Sequence, residues 1–341
     1  MGLFDILRQL RFLLFTFLPD QFFASLPETI QDLTGRTYIV TGSNSGLGLA
    51  TVAHLAHMKP ARIILAVRDS SKGEKAREEV VAETGYTGRM DVWLLDMASF
   101  ASVYAFAERA NSELDRLDGA ILNAGINVPW WRKTVDGWET ILQVNTLATG
   151  FLGILLLPLL SKTASLPAPL PESTAIAPHL TITGSAAQFL ATFNEKREKS
   201  GILHALNNED KPGDPYPTSK LLLVLCARKL AALPIAKNVV VNVVDPGLCV
   251  TNIGSDYKLP NWVMTIIRAI AWTAEKGALN MTWAALRPTP PAAFVTSCEV
   301  RKSAAWSYTQ DGARVQEQVW KEMVEVWSTA APTIPQIINT L

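Results

Sequence analysis

Four scarcities bound what this 341-residue chain can be. It has three cysteines, Cys226, Cys249 and Cys298, lying 23 and 49 residues apart. That spacing fits neither a zinc knuckle nor a disulfide framework, so a reducing compartment is expected. It has four histidines, His54, His57, His179 and His204, in no His-Glu-x-x-His pattern. His54 and His57 could face one way on a helix, but no carboxylate or cysteine stands at ligand spacing, so no metal site is expected. Net charge is absent: 31 lysines plus arginines balance 31 aspartates plus glutamates, leaving no field to gather nucleic acid or an acidic partner. Charge of either sign is sparse, at 18% of residues against 48% hydrophobic, where globular chains average about 25% charged. Disordered and coiled-coil architectures are thereby excluded. At about 150 residues per domain, the length fits two domains or one large α/β domain with additions.

Two apolar runs, at 3–18 and 147–160, fall short of the about 20 mostly apolar residues that a bilayer span needs. Residues 3–18 are rich in Phe, Leu and Ile but carry Asp5, Arg8, Gln9 and Arg11. Leu3, Leu7, Leu10, Leu14 and Phe17 share one helical face, with Phe12 and Phe15 intruding on the polar side. Two readings stand: a helix docked on the body of the protein or on a second subunit, or a membrane-surface anchor. No small-residue cleavage site follows, so a signal peptide is not expected. The run at 147–160 has 14 residues and contains Pro158, which marks a buried helix.

Beyond Thr37, short β-branched runs alternate with longer helical stretches. Strands are expected at 38–41, 62–67, 92–95, 119–122, 179–183 and 239–244; helices at 46–57, 71–84, 99–114, 140–160 and 216–232. Such alternation means βαβ units and a doubly wound, Rossmann-type parallel sheet with helices on both faces. Prolines at 167, 169, 171 and 178 make 161–178 a loop. Residues 1–34 read as an apolar helix and linker, and 35–341 as the main domain.

The first strand runs into Thr41, then Gly42, Ser43, Asn44, Ser45, Gly46, Leu47 and Gly48, then a helix. Glycine permits a tight turn and close approach to a pyrophosphate, whose charge the helix amino terminus favours. The second strand ends at Arg68 and Asp69. An arginine suits the 2′-phosphate of NADP, with Lys72 assisting, whereas an aspartate could turn to a ribose or pair with Arg68. NADPH is therefore expected in preference to NADH. Asp96, before Met97, stands where a carboxylate could accept from an adenine amino group or start a helix. Asn123, Ala124 and Gly125 follow the fourth strand as a second close-approach turn. Tyr216 and Lys220 fall one helical turn apart, so an ammonium should lower the phenol from its reference value of about 10. Ser185 offers a hydroxyl after the fifth strand, and Asn145 could reach Lys220 through backbone geometry or a water.

Taken together these residues resemble the short-chain dehydrogenase/reductase family. The likeness runs from about Gly35 to the carboxyl terminus and includes Asp245-Pro246-Gly247-Leu248-Cys249-Val250-Thr251. It implies that Ser185, Tyr216, Lys220 and Asn145 are catalytic. It also implies that the glycine turn, Arg68, Lys72, Asp96, Met97, Asn123, Ala124, Gly125, Pro246, Gly247 and Thr251 bind cofactor together with Tyr216 and Lys220. The 31 residues from Ser185 to Tyr216 exceed the usual family spacing and resemble the retinol-dehydrogenase-like branch and fungal secondary-metabolism reductases. The activity implied is NADPH-dependent reduction of a ketone in a bulky hydrophobic substrate. Oxidation of a lipid-like alcohol, a non-redox isomerase or cyclase, and a cofactor-sensing binding protein are the alternatives. Trp130, Trp131, Tyr257, Trp262, Met264 and Ile266 would border the substrate cleft within or near a segment at 252–300, although packing or a subunit contact serves the tryptophan pair equally. Residues 151–157 and 221–225 are apolar enough for a homodimer, and core burial accounts for them as well. A cytoplasmic location is expected, membrane-associated if 3–18 lies on a bilayer. The sequon at Asn280 is read as coincidence.

Overall fold

The computed structural model describes residues 12–169, 176–210 and 213–340. Among these, eight strands form one sheet: β1 (Thr37–Thr41), β2 (Arg62–Val67), β3 (Arg89–Leu94), β4 (Gly119–Leu122), β5 (His179–Thr183), β6 (Val240–Asp245), β7 (Ala293–Thr296) and β8 (Glu299–Arg301). Their order is β3-β2-β1-β4-β5-β6-β7-β8. All pairings are parallel except the antiparallel β7–β8 edge. Chain direction across the sheet reverses between β1 and β4, opening a crevice at their carboxyl ends.

Side chains alternate across the pleat and so separate two cores. Ile39, Ile64 and Ala66 face the helices Phe100–Glu113, Ala148–Ala164 and Pro215–Ala231. Tyr38, Val40, Ile63 and Leu65 face Gly46–His57, Ser70–Thr84 and Ala274–Leu286. The 147–160 run lies in the first core, inside a helix that begins as a π-helical segment, Leu142–Leu147, and continues to Ala164. β3 starts three residues earlier than its apolar pattern suggests. Its charged beginning is stabilised by Asp91, which pairs with Arg62 at 2.6 Å and Arg89 at 2.9 Å.

Three expectations change. Of the amino-terminal stripe, Leu3, Leu7 and Leu10 lie outside the described residues; of the rest Leu14 is exposed and Phe17 half-buried, while Phe12, from the polar side, stacks on Phe189 at 4.7 Å. Leu13–Phe17 is a π-helical turn, whose i→i+5 bonding rotates the faces relative to an α-helix. The following helix, Leu18–Phe23, docks on the body through Gln21 and an Asp20–Arg301 ion pair. The apolar residues at 151–157 and 221–225 are buried within their own chain and so offer no subunit surface. The helix Gln310–Ala330 lies against this layer: Trp327 stacks on Phe151 at 6.4 Å and donates to the Leu147 carbonyl at 2.9 Å. Finally, part of the 252–300 segment is scaffold, since Ala274–Leu286, β7 and the start of β8 belong to the main layers. Asn280 of the sequon is fully buried, its Oδ1 accepting the N–H of Cys298 at 2.7 Å.

Candidate active site

The glycine turn at the end of β1 is shaped by contacts that exclude a side chain. Gly42 and Gly46 have φ of +65° and +55°, a region costly to residues with a Cβ. A Cβ on Gly48 would stand 2.4 Å from the Gly42 carbonyl oxygen. Helices starting at Ser70, Phe100 and Ala274 have their first N–H groups capped by Asp69, Ser99 and Thr273, but Ser45 gives the Gly46 helix no side-chain cap. Its amides are thus open to an external acceptor. Ser43 is buried, and its hydroxyl has no hydrogen-bond partner among the described residues. Asn44, Ser45 and Leu47 are half-buried. These features fit an anionic dinucleotide. Asn123 secures the neighbouring turn by donating to the Thr41 carbonyl at 3.0 Å, while Ala124 N–H donates to Thr41 Oγ1 at 2.9 Å.

Arg68 and Lys72 are exposed beside this cradle, and neither has an ion-pair partner among the described residues. Asp69 makes no ion pair with Arg68 among the described residues: its carboxylate caps the next helix by accepting Lys72 N–H at 3.1 Å. Asp96 does not start a helix, a role held by Ser99. One of its oxygens accepts Ala98 N–H at 2.9 Å. The Met97 side chain is buried in the core.

At the carboxyl ends of β5 and β6, Ser185, Tyr216 and Lys220 converge. Ser185 lies close enough to the Tyr216 phenol to act on its pKa, and the Lys220 ammonium lies 5.7 Å from the Tyr216 ring centre. Lys220 is buried and donates to the Thr183 carbonyl at 2.9 Å. Asn145, in the π-helical segment, accepts Ile126 N–H at 2.8 Å and donates to the Ile126 carbonyl at 2.9 Å and Ser219 Oγ at 3.1 Å. It therefore ties the Asn-Ala-Gly turn to the helix bearing Tyr216. Gly125 sits between them, since a Cβ there would lie 3.2 Å from Asn145 Oδ1 and 3.6 Å from Lys220 Nζ.

The expected acidic phenol is overturned. Burial pushes Tyr216 up to about 12, opposed by the nearby Ser185 hydroxyl and assisted by the Asp245 charge. Burial also brings Lys220 down to about 8, with Asp245 acting in the opposite direction. Loss of hydration thus outweighs the ammonium's attraction for a phenolate.

Pro246, Gly247 and Thr251 form a turn facing the cradle: a Cβ on Gly46 would meet the Thr251 side chain at 3.5 Å. The two aromatic segments meet as well. Tyr257 donates to Asn127 Oδ1 at 3.1 Å, and Trp130 donates to Asp256 at 3.1 Å. Trp131 lines a small cavity with Glu139, Leu142 and Thr218. Trp262 and Ile266 are exposed on the helix Asn261–Ile270, which has no buried residue. Sequence reasoning overlooked Asp245 and Gln21 as participants around this turn. Asp245 stood in the quoted motif and a strand-end carboxylate is a usable signal, but Gln21 had none.

A parallel sheet reversing beside a glycine turn defines a Rossmann-type α/β protein. A family model for short chain dehydrogenases matches residues 36–165. Short chain dehydrogenase/reductase dmxR8 of Cryptosporiopsis sp. (strain 8999) is 32% identical over 328 residues, covering 93% of this chain and 98% of the relative. Short chain dehydrogenase sol3 of Alternaria solani is 37% identical over 290 residues, covering 84% and 96%. The NADPH-bound carbonyl reductase from chicken fatty liver shares the fold, with TM-score 0.56 and 20% identity over 84% of this chain and 99% of that one. The chain belongs to the short-chain dehydrogenase/reductase family of oxidoreductases.

Proposed function

We propose that the protein is an NADPH-dependent ketoreductase for a bulky, hydrophobic, secondary-metabolite-like carbonyl compound. The observation that carries this reading is the convergence of Ser185, Tyr216 and Lys220 beside a glycine cradle with uncapped amides. The cradle residues would hold the pyrophosphate, Arg68 and Lys72 the 2′-phosphate, Asp96 the adenine, and Thr251 the far end of the cofactor. Bound NADPH supplies a hydride for the carbonyl carbon. Tyr216 donates its proton to the oxygen as negative charge develops there, and Ser185 hydrogen-bonds the same atom. Burial keeps the phenol protonated, the form from which donation to a carbonyl oxygen starts. Lys220 holds its ammonium near the phenol, and Asn145 keeps the Tyr216 helix in register with the Asn-Ala-Gly turn. The joined aromatic segments around Trp130 and Tyr257, and the fungal sources of the relatives, support an apolar substrate.

The test is incubation with NADPH or NADH and a panel of bulky ketones, following cofactor absorbance and product mass. The expected result is NADPH oxidation with a product two hydrogens heavier. Consumption of neither cofactor across the panel, or turnover only of the corresponding alcohols in a parallel incubation with NADP+, overturns the reading.

A further inference from the structure

The helix Leu18–Phe23 precedes β1 in sequence, yet it is attached to the loop that follows β6. Gln21, only 4% exposed, makes that attachment. Its Oε1 accepts Leu248 N–H at 3.1 Å, and its Nε2 donates to the Leu248 carbonyl at 2.9 Å and the Ile270 carbonyl at 3.1 Å. A primary amide here satisfies both polar groups of one residue, as a neighbouring strand would. Trp272 pairs with the same segment: its N–H donates to the Leu248 carbonyl at 2.8 Å, and its carbonyl accepts Val250 N–H at 2.8 Å. The Trp272 indole donates in turn to the Gln21 carbonyl at 2.7 Å. Its ring packs where a Gly247 Cβ would stand, 2.6 Å away.

We infer that Gln21 is a positioning residue for cofactor binding, acting through the turn 246–251. This rests on the NADPH reading above. Asp245 and Asn280 hold the first part of the turn, through Gly247 N–H and the Pro246 carbonyl. Past Gly247, the backbone of Leu248 to Val250 is bonded to Trp272 and Gln21. Thr251, which faces Gly46 of the cradle, comes next. Without the Gln21 amide the turn is held from one side and samples conformations that do not present Thr251 to the cradle. Apparent affinity falls by the fraction of molecules in the competent conformation.

The experiment compares full-length wild type, Gln21→Ala, Gln21→Glu and Arg301→Ala, measuring Kd for NADPH by protein fluorescence, KM, kcat and melting temperature. Gln21→Glu keeps the acceptor and the volume but loses the donor to both carbonyls, so it tests the bond if the alanine variant does not fold. Arg301→Ala breaks the ion pair to Asp20 on the same helix and touches no bond to the turn. Kd and KM for NADPH should rise about tenfold in both Gln21 variants while saturated kcat stays within about twofold, with Arg301→Ala close to wild type. Wild-type Kd in the Gln21 variants, or equal weakening in Arg301→Ala, overturns the inference and leaves the ketoreductase reading intact. Absence of NADPH binding by wild type overturns that reading itself and this inference with it.

Discussion

A buried carboxylate stands at each end of the parallel sheet, and the two have opposite surroundings. Asp118, at the amino ends of β1 and β4, is 2% exposed and meets Arg36 at 3.2 Å, Arg116 at 2.6 Å and the Thr37 N–H at 2.9 Å. Asp245, at the carboxyl end of β6, is 4% exposed and has no ion pair among the described residues. Its acceptors are met by neutral donors: Thr296 Oγ1 at 3.1 Å, Gly247 N–H at 3.3 Å and the Ala186 N–H. Burial pushes its pKa upward. Its charge faces Tyr216 and Lys220 from within the sheet, Cys249 from the adjoining turn, and Asp20 of the amino-terminal helix; Arg301 and Lys302 line the same cavity. One end of the sheet compensates its charge and holds the strands together. The other meets its carboxylate with neutral donors and no ion pair among the described residues, beside the groups proposed for proton transfer, where perturbed titration is useful.

The largest effect should come from the compensated end. Asp118→Ala removes the buried carboxylate on which Arg36, Arg116 and the Thr37 N–H converge and should cost about 3–5 kcal/mol in urea unfolding, with activity per folded molecule unchanged. A loss confined to activity would erase the contrast. Gly48→Ala forces a methyl against the Gly42 carbonyl. It should cost about 1–3 kcal/mol as an overpacked contact and weaken NADPH binding in titration, because the turn must move.

Asp245→Asn keeps the shape and removes the charge. That charge raises both Tyr216 and Lys220, so both should titrate at lower pH in the variant. The limb of the kcat/KM profile set by Lys220, near pH 8 in wild type, should move toward acid. A lower rate on an unmoved profile would make Asp245 merely structural.

The smallest effect concerns His179. Its ring nitrogens face the Ala177 and Arg287 carbonyls at 2.6 and 2.9 Å, which favours the imidazolium, but burial prevails and lowers its pKa below 6.5. The unfolded chain therefore takes up that proton first, and stability is full above about pH 6.5 and declines on acidification. His179→Gln should flatten this part of the stability curve in denaturant titrations at stepped pH. An unchanged slope would assign it to other groups such as His54, which burial also lowers.

The strand and helix alternation was legible because each βα unit carries its own periodicity, and the glycine turn because Gly42, Gly46 and Gly48 have local steric reasons to be glycine. Tyr216 and Lys220 were legible as a pair because four residues make one helical turn. The sign of the phenol's shift was not, since it depends on burial by distant elements, whereas sequence displays only the neighbouring ammonium. Gln21 was hidden for a related reason: its partner Leu248 lies 227 residues away, and a glutamine on an apolar helix resembles a solvent-facing residue. The π-helical turn at Leu13–Phe17 likewise departs from the α-helical spacing on which the stripe was drawn.

The most direct measurement is single-turnover reduction of an accepted ketone by wild type and Tyr216→Phe, each saturated with NADPH. Loss of the proton donor should slow the reaction by about 10²–10⁴-fold while the Kd for NADPH stays as in wild type. Equal single-turnover rates would contradict the assignment of Tyr216 as the acid.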